Sequence, residues 1–280
     1  MTPSPKTVLI TGCSLGGIGS ALALEFHRRG LHVFATARSL DRMAHLANLD
    51  RVTLLQLDVT SQASIATAAA QVGKTTGSSL DILINNSGAQ YITPAIEANL
   101  DAARSMFEVN VFSVAAVCQA FVPLITTASG TIVNVCSIAA HVHTPWMGFY
   151  GASKAAAEVL SETMRLEMAP LGVRVISLVT GAVASNIMTN GAIPKLQDTS
   201  PFKPAQKEIV ALAKGEDGHT RMPTETFAKK VVDDVLGGAQ GKLWRGQMAS
   251  TIYWLTKLIP LSILDKLISK DSGLDHLAKN

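Results

Sequence analysis

Short aliphatic runs alternating with helical stretches constrain the fold of this chain more than any other feature of it. Residues 7–10, 32–37, 52–57, 80–84, 131–136 and 173–179 read as buried strands, rich in Val, Ile and Leu. Between them lie helical patterns at 18–29, 64–72 and 100–124 and a stretch that runs to about residue 168, with a further helix over 226–236. Strands that repeatedly give way to helices predict an α/β protein of the Rossmann type, a doubly wound parallel sheet flanked by helices. The 280 residues are 48% hydrophobic and 16% charged, enough to fill one large core. A catalytic domain over 1–246 is expected. Its residues 182–222 lack sustained periodicity and are expected to form a substrate flap. A helical extension over 247–280 follows.

The first strand runs into Thr11-Gly12-Cys13-Ser14-Leu15-Gly16-Gly17-Ile18-Gly19. Glycines between a strand and a helix let the backbone turn sharply and approach a pyrophosphate, which then sits on the positive helix end. Gly12, Ser14, Gly17 and Ile18 are the candidate cofactor residues of this turn, and either Gly16 or Gly17 takes the middle glycine role. An NAD site would carry a carboxylate at the end of the second strand, to hold the ribose 2′-hydroxyl. Ala37-Arg38-Ser39 stands there instead, and Arg38 suits the 2′-phosphate of NADP. The cofactor expected is NADP(H).

Tyr150-Gly151-Ala152-Ser153-Lys154 follows Ser137, which ends a strand pattern. Tyr150 and Lys154, four residues apart, share a helix face. A phenol beside a fixed ammonium can donate a proton, since the cation stabilises the phenolate left behind. Lys154 is accordingly expected to lower the Tyr150 pKa from its usual value near ~10. The Ser137 hydroxyl falls at the carboxyl edge of the sheet, where open α/β folds bind ligands.

These motifs, with Asp58-Val59, Asn85-Asn86-Ser87-Gly88 and Asn110, resemble in order those of the short-chain dehydrogenase/reductase family over residues 6–240. The resemblance implies a catalytic set of Asn110, Ser137, Tyr150 and Lys154. It places Asp58 and Val59 beside the adenine, Asn86 and Gly88 along the cofactor, and Tyr150 and Lys154 at the nicotinamide end. By register Val183 meets the nicotinamide amide and Ser185 the diphosphate. A structural role for Asn85 and Asn86, tying neighbouring strands, competes with a cofactor role. The turn is one residue longer than the family pattern, Ser87 replaces an alanine, and Thr180-Gly181 replaces Pro-Gly. With its apolar tail, the chain is most similar to the fungal subgroup related to 1-acyldihydroxyacetone-phosphate reductase. The activity implied is NADPH-dependent hydride transfer to a ketone of a hydrophobic or lipid-like substrate. A natural-product ketoreductase or alcohol dehydrogenase of the same fold is the alternative, and an NADPH-binding regulatory module is the non-enzymatic one.

The remaining features narrow the partners. A net charge of +3 without a dense Lys/Arg run argues against nucleic acid. Cys13, Cys118 and Cys136 lack metal spacing and read as small buried residues of a reducing compartment. His141 and His143 read as polar lining or a surface turn, because two histidines without a third ligand make a poor metal site. No metal is expected. Residues 1–6 lack a signal-peptide core, so a cytoplasmic location is expected, with the endoplasmic reticulum or lipid droplets as peripheral sites. Surplus apolar residues on the 100–124 helix and on the helix after Tyr150 suggest a homodimer or homotetramer. Residues 251–264 are too apolar to be left in water, and Pro260 should split them into two short helices. Three placements stay open for this tail: a lid over the pocket, a subunit contact, or peripheral contact with a membrane.

Overall fold

The computed structural model describes residues 5–188 and 190–277; Met1–Ser4, Thr189 and the last three residues of the 247–280 extension lie outside the described residues. The chain begins β1 (Thr7–Ile10), α1 (Ile18–Arg28), β2 (His32–Ala37), β3 (Val52–Gln56), α2 (Gln62–Thr76) and β4 (Ile82–Asn85). There follow α3 (Leu100–Phe107), α4 (Ser113–Thr127), β5 (Thr131–Ser137), α5 (Gly148–Met168) and β6 (Arg174–Thr180). Then come β7 (Val183–Ala184), α6 (Gln206–Lys214), β8 (Met222–Pro223), α7 (Thr224–Leu236), β9 (Gly241–Arg245), α8 (Ala249–Leu258) and α9 (Leu261–Ser269).

Seven strands form one sheet in the order β3-β2-β1-β4-β5-β6-β9, every neighbouring pair parallel. The strand order reverses between β1 and β4, and that switch point opens a crevice at the carboxyl ends. Continuous apolar strands are required because both faces are covered. On one face Leu22 and Phe26 of α1 pack with Phe227 and Val231 of α7. On the other, Ile65 and Val72 of α2 pack with Val117 and Phe121 of α4. Local chemistry sets the boundaries: Ser61 caps α2 through its side chain, and Gly77 ends that helix at φ 67°. Asn99 caps α3 through two backbone amides.

Three features depart from the sequence reading. Residues 182–222 are not irregular throughout, since they hold α6 and the short β7–β8 pairing. Helix α6 is only nine residues long, too short a run to stand out among the prolines and glycines around it. Strand β9 was not expected, because Lys242 and Arg245 interrupt its apolar pattern on an edge that is only half-buried. The 100–124 stretch is not one uniform helix. A π turn over Glu108–Phe112 joins α3 to α4. From Leu100 to Thr127 the chain has the length and composition of a membrane span, yet half of its apolar window is buried within the protein.

A line of buried polar groups crosses the sheet. Asn85 donates to Asn134 at 2.8 Å and Asn134 to Ser161 at 3.0 Å; Ser177 donates to Glu162 at 2.7 Å and accepts from the Ser161 hydroxyl at 2.8 Å. These bonds tie β4, β5, β6 and α5 together. Asn134→Ala takes one hydrogen bond from each of two buried partners, Asn85 and Ser161, and is expected to cost about 1–3 kcal/mol in urea unfolding. A loss below about 0.5 kcal/mol, the size of an ordinary surface substitution, would contradict that role.

Candidate active site

The carboxyl ends of β1, β4, β5 and β6 converge on the switch point, and the glycine-rich turn is tied to β4 there. Thr11 Oγ1 accepts from the Asn86 and Ser87 amides at 2.9 Å each. Asn86 Nδ2 returns a bond to the Thr11 carbonyl at 2.8 Å. Asn85 reaches instead across to β5, so both asparagines have the strand-tying role, and Asn86 holds the turn itself. The two adjacent glycines divide the work. Gly16 takes φ +76°, a region that disfavours other residues, while Gly17 is the N-cap of α1 with ordinary extended backbone. Of the two candidates for the middle glycine role, Gly16 is the one whose backbone conformation calls for glycine. A Cβ on Gly19 would stand 2.4 Å from the Gly12 carbonyl oxygen, so the turn closes only with glycine there.

Helix α1 has neither a side-chain cap nor an acidic residue in its first turn. Its leading amides and the positive end of its dipole are left to a ligand, which fits a bound pyrophosphate. Arg38 is exposed directly after β2. Asp58 sits below its usual carboxylate range, chiefly through the Thr60 amide and hydroxyl, with a smaller contribution from the Arg38 charge. Val59 beside it is buried. A cavity of about 240 Å³ opens beside the turn, lined among others by Ser14, Arg42, His45 and Asn186. Past β6, Val183 is buried in the β7 pairing and Ser185 is half-buried. Next to it Asn186 donates to the Leu15 carbonyl at 2.7 Å, which brings this segment against the turn. Arg42 and Asn186 escaped sequence reasoning; Arg42 four residues after Arg38 was the only available signal.

The expected catalytic residues come together around α5. Ser137 ends β5, and its hydroxyl lies near enough to Tyr150 to oppose part of the effect of burial on the phenol. Ser137 Oγ also accepts from the Ala139 amide at 3.2 Å. Lys154 donates to the Val135 carbonyl at 2.9 Å. Asn110, carried by the π turn, is clasped to Ala89 by two bonds of 2.8 and 2.9 Å and donates to Ser153 at 3.0 Å. Gly88 completes the group: a Cβ there would lie 3.5 Å from Asn110 Oδ1 and 3.6 Å from Lys154 Nζ.

Electrostatics correct one expectation. Tyr150 is pushed above its ordinary value, because burial outweighs the opposing Ser137 hydrogen bond. Burial likewise lowers Lys154. The protein's own side chains therefore keep the phenol protonated, rather than poising it low as the neighbouring lysine suggested. The three cysteines are buried and free, and burial pushes each thiol up to about 12.

Behind this group lies a second cluster that sequence reasoning missed. Glu158, one turn past Lys154, is buried; His141 meets it at 2.8 Å and Lys242 at 2.7 Å. Hydrogen bonds from His141 and Lys242 hold its carboxyl below the usual range despite burial. His141 packs against Trp244 with ring centroids 4.6 Å apart and the planes tilted by 43°. The i, i+4, i+8 spacing of Tyr150, Lys154 and Glu158 was a signal that could have found it. His143 is exposed and pairs with Asp265 of α9 at 3.0 Å. Trp146, in the same loop, adopts φ +68°, a strained value for a bulky residue. The Thr93 amide bonds its carbonyl, and its indole donates to the Ser272 carbonyl at 2.8 Å.

Comparison with known proteins agrees with this arrangement. A family model described as short chain dehydrogenase matches residues 6–193. The short-chain dehydrogenase ptmH of Penicillium ochrochloron is 46% identical over 270 residues, covering 96% of this chain and 98% of that protein. An NADPH-dependent 1-acyldihydroxyacetone phosphate reductase of Schizosaccharomyces pombe is 42% identical over 229 residues, covering 79% of this chain and 73% of its own length. A short chain dehydrogenase of Burkholderia cenocepacia, solved in complex with NADP, superposes with a TM-score of 0.75 at 28% identity, covering 95% of this chain and 99% of that one. With its parallel sheet, its glycine turn and a serine, tyrosine and lysine gathered at the switch point, the chain belongs to the short-chain dehydrogenase family of oxidoreductases.

Proposed function

We propose that this protein is an NADPH-dependent reductase acting on a ketone in a largely apolar substrate, with Tyr150 as proton donor. The observation that carries this reading is the surroundings of Tyr150. Its ring packs with Met106 and Ala139, among Ala89, Tyr91, Met147, Phe149 and Ile187. Such a wall suits an aliphatic or ring-bearing ketone and excludes water from the reacting carbonyl.

In this reading Gly12, Ser14, Gly17 and Ile18 cradle the pyrophosphate with the α1 amides, and Arg38 meets the 2′-phosphate. Asp58 and Val59 border the adenine, and Asn86, Gly88, Val183 and Ser185 line the remainder. NADPH, when bound, supplies the hydride. Ser137 and Tyr150 donate hydrogen bonds to the carbonyl oxygen as negative charge develops there, and Tyr150 then delivers its proton. Lys154 holds the cofactor's ribose and offsets the charge left on the phenolate. Asn110 fixes the Ala89 backbone beside Gly88.

The name of the Schizosaccharomyces pombe relative supports a lipid ketone. Lys203, a cation in the 182–222 segment that could meet an anionic substrate group, is engaged by Asp198 at 2.8 Å and by the Leu196 carbonyl at 3.0 Å. That engagement favours the second reading, an uncharged ketone or alcohol of a natural-product pathway. Loss of NADPH absorbance with an acyl dihydroxyacetone phosphate and a panel of uncharged apolar ketones tests both readings. No turnover with any of them would sink the reductase assignment.

Because burial raises Tyr150, its acid form persists through neutral pH. Reduction under saturating cofactor is expected to stay level there and to fall only above the ordinary tyrosine range. Alcohol oxidation, which needs the phenolate, should rise with pH over that same interval. A reduction rate that already halves between pH 7 and about pH 8, well below an ordinary tyrosine pKa, would show that another group sets the profile.

Assembly belongs to the same proposal. Phe112, Val159 and Leu166, on the π turn and α5, stay 59%, 68% and 64% exposed. Pairing of these helices about a twofold axis would cover them and give a homodimer, the unit from which a homotetramer is built. Light scattering at micromolar concentration should report at least the dimer mass, and Val159→Glu with Leu166→Glu should shift it to the monomer.

A further inference from the structure

Helices α8 and α9 are apolar on two sides. Their inner side is settled: Ile252 and Leu264 are buried against Val142, with Leu255, Ile259 and Ile268 packed beside Ile138 and Trp244. Their outer side is not. Trp254 and Leu258 on α8 are 57% and 72% exposed, and Leu261, Ile263 and Leu267 on α9 are 53%, 49% and 55% exposed. Trp254 and Leu258 stand one turn apart, as do Ile263 and Leu267, so each helix presents a stripe to solvent. Isolated exposed leucines need no explanation, but five large apolar residues on two consecutive helices form a patch.

Charge decides what this patch fits. Lys257, Lys266 and Lys270 are exposed around it, and no carboxylate among the described residues pairs with them. Lys257 lies over the Tyr253 ring at 4.1 Å and donates to its hydroxyl at 2.7 Å. Asp265, the only acid within the two helices, is engaged by His143, and just past α9 the exposed Asp271 follows Lys270. A second copy seated on this patch about a twofold axis would bring three lysines against the same three lysines. An anionic lipid surface opposes no such charge. It takes Trp and Leu side chains at the headgroup boundary and lysines at the phosphates.

We propose that the outer face of α8 and α9 docks on an anionic membrane surface, with Trp254, Leu258, Leu261, Ile263 and Leu267 entering the interface and the three lysines meeting headgroups. The protein lies on the surface and does not cross it, because Pro260 divides the segment and the opposite face of each helix is occupied by the protein body. The Trp244–Tyr253 and His141–Trp244 ring contacts then join the docked helix to the loop after Ser137.

The test uses the full chain and phosphatidylcholine vesicles with or without about one-third phosphatidylserine, the acidic lipid that attracts polybasic surfaces. The protein should sediment with the anionic vesicles at least tenfold more strongly than with neutral ones, and less as salt is raised. Leu258→Glu with Leu267→Glu should abolish this while NADPH turnover of a soluble ketone is unchanged. Lys257→Gln, Lys266→Gln and Lys270→Gln together should leave only weak, salt-independent binding. The proposal is overturned if the anionic vesicles do not carry the protein down, or if the Leu→Glu variant binds them as well as the parent. It is equally overturned if that variant breaks an oligomer in light scattering with vesicle binding untouched, which would make the patch a subunit contact. None of these outcomes depends on the identity of the substrate.

Discussion

Tyr150→Phe is expected to slow ketone reduction by about a hundred- to ten-thousandfold, the range a positioned proton donor supplies. NADPH binding should survive, because the variant keeps the ring among Met106, Ala139 and Ile187 and removes only the hydroxyl beside Ser137. Ser137 retains its bond from the Ala139 amide, so the pocket should hold its shape. Absorbance assays for turnover and fluorescence titration for NADPH separate the two effects. Lys154→Ala should weaken both, since its ammonium is buried and bonded to the Val135 carbonyl as well as placed for the cofactor. Most of the activity remaining in Tyr150→Phe would remove the phenol from the mechanism.

Arg38→Asp is expected to lower NADPH affinity by about ten- to a hundredfold and to erase or invert the preference over NADH. A hydrogen bond to a charged group contributes roughly 1.5–3 kcal/mol, and about 1.4 kcal/mol is a factor of ten. The substitution also sets a carboxylate against the 2′-phosphate, while offering the 2′-hydroxyl of NADH an acceptor. Arg38 is exposed, so its replacement leaves the core untouched. Ratios of kcat/KM for the two cofactors, before and after the change, give the answer. Equal ratios in the unaltered protein would refute Arg38 as the discriminator. A residual NADPH preference in the variant would point to Arg42, which lines the cavity beside Ser14.

The strands that begin the fold and the cluster at the switch point were legible because their signals are local. A four-residue aliphatic run such as Thr7–Ile10, or a tyrosine and lysine one turn apart, carries its meaning in adjacent positions. Ser137 was legible because a strand pattern stops at it. Strand β9 was not, since its place beside β6 depends on partners more than sixty residues away in sequence, such as the pairing of Leu178 with Leu243. Asn186 was hidden for the same reason: its bond to Leu15 spans 171 residues. The direction of the Tyr150 shift was misread because spacing reports which charges are near and says nothing of how completely both groups are buried. Pro260 gave the split of the tail into two helices, but which side of each helix faced the body depended on Val142 and Trp244.

The π turn that carries Asn110 has a consequence for how the chain tolerates length changes. An i→i+5 turn holds one residue more than the α form, and one residue is about 100° of helix rotation. The two halves it joins serve different neighbours. Met106 and Phe107 face the Tyr150 group, whereas Val114, Val117, Cys118 and Phe121 face the sheet. A chain with Val111 deleted would run from Leu100 to Thr127 as one regular helix, in a single phase that cannot satisfy both sets of contacts. Either the sheet face or the reaction-centre face would have to rotate away, and Asn110 would swing off the Ala89 peptide. Point substitutions here are therefore gentler than a deletion: this stretch behaves as a phase adaptor whose residue count, more than its residue types, keeps the two halves in register.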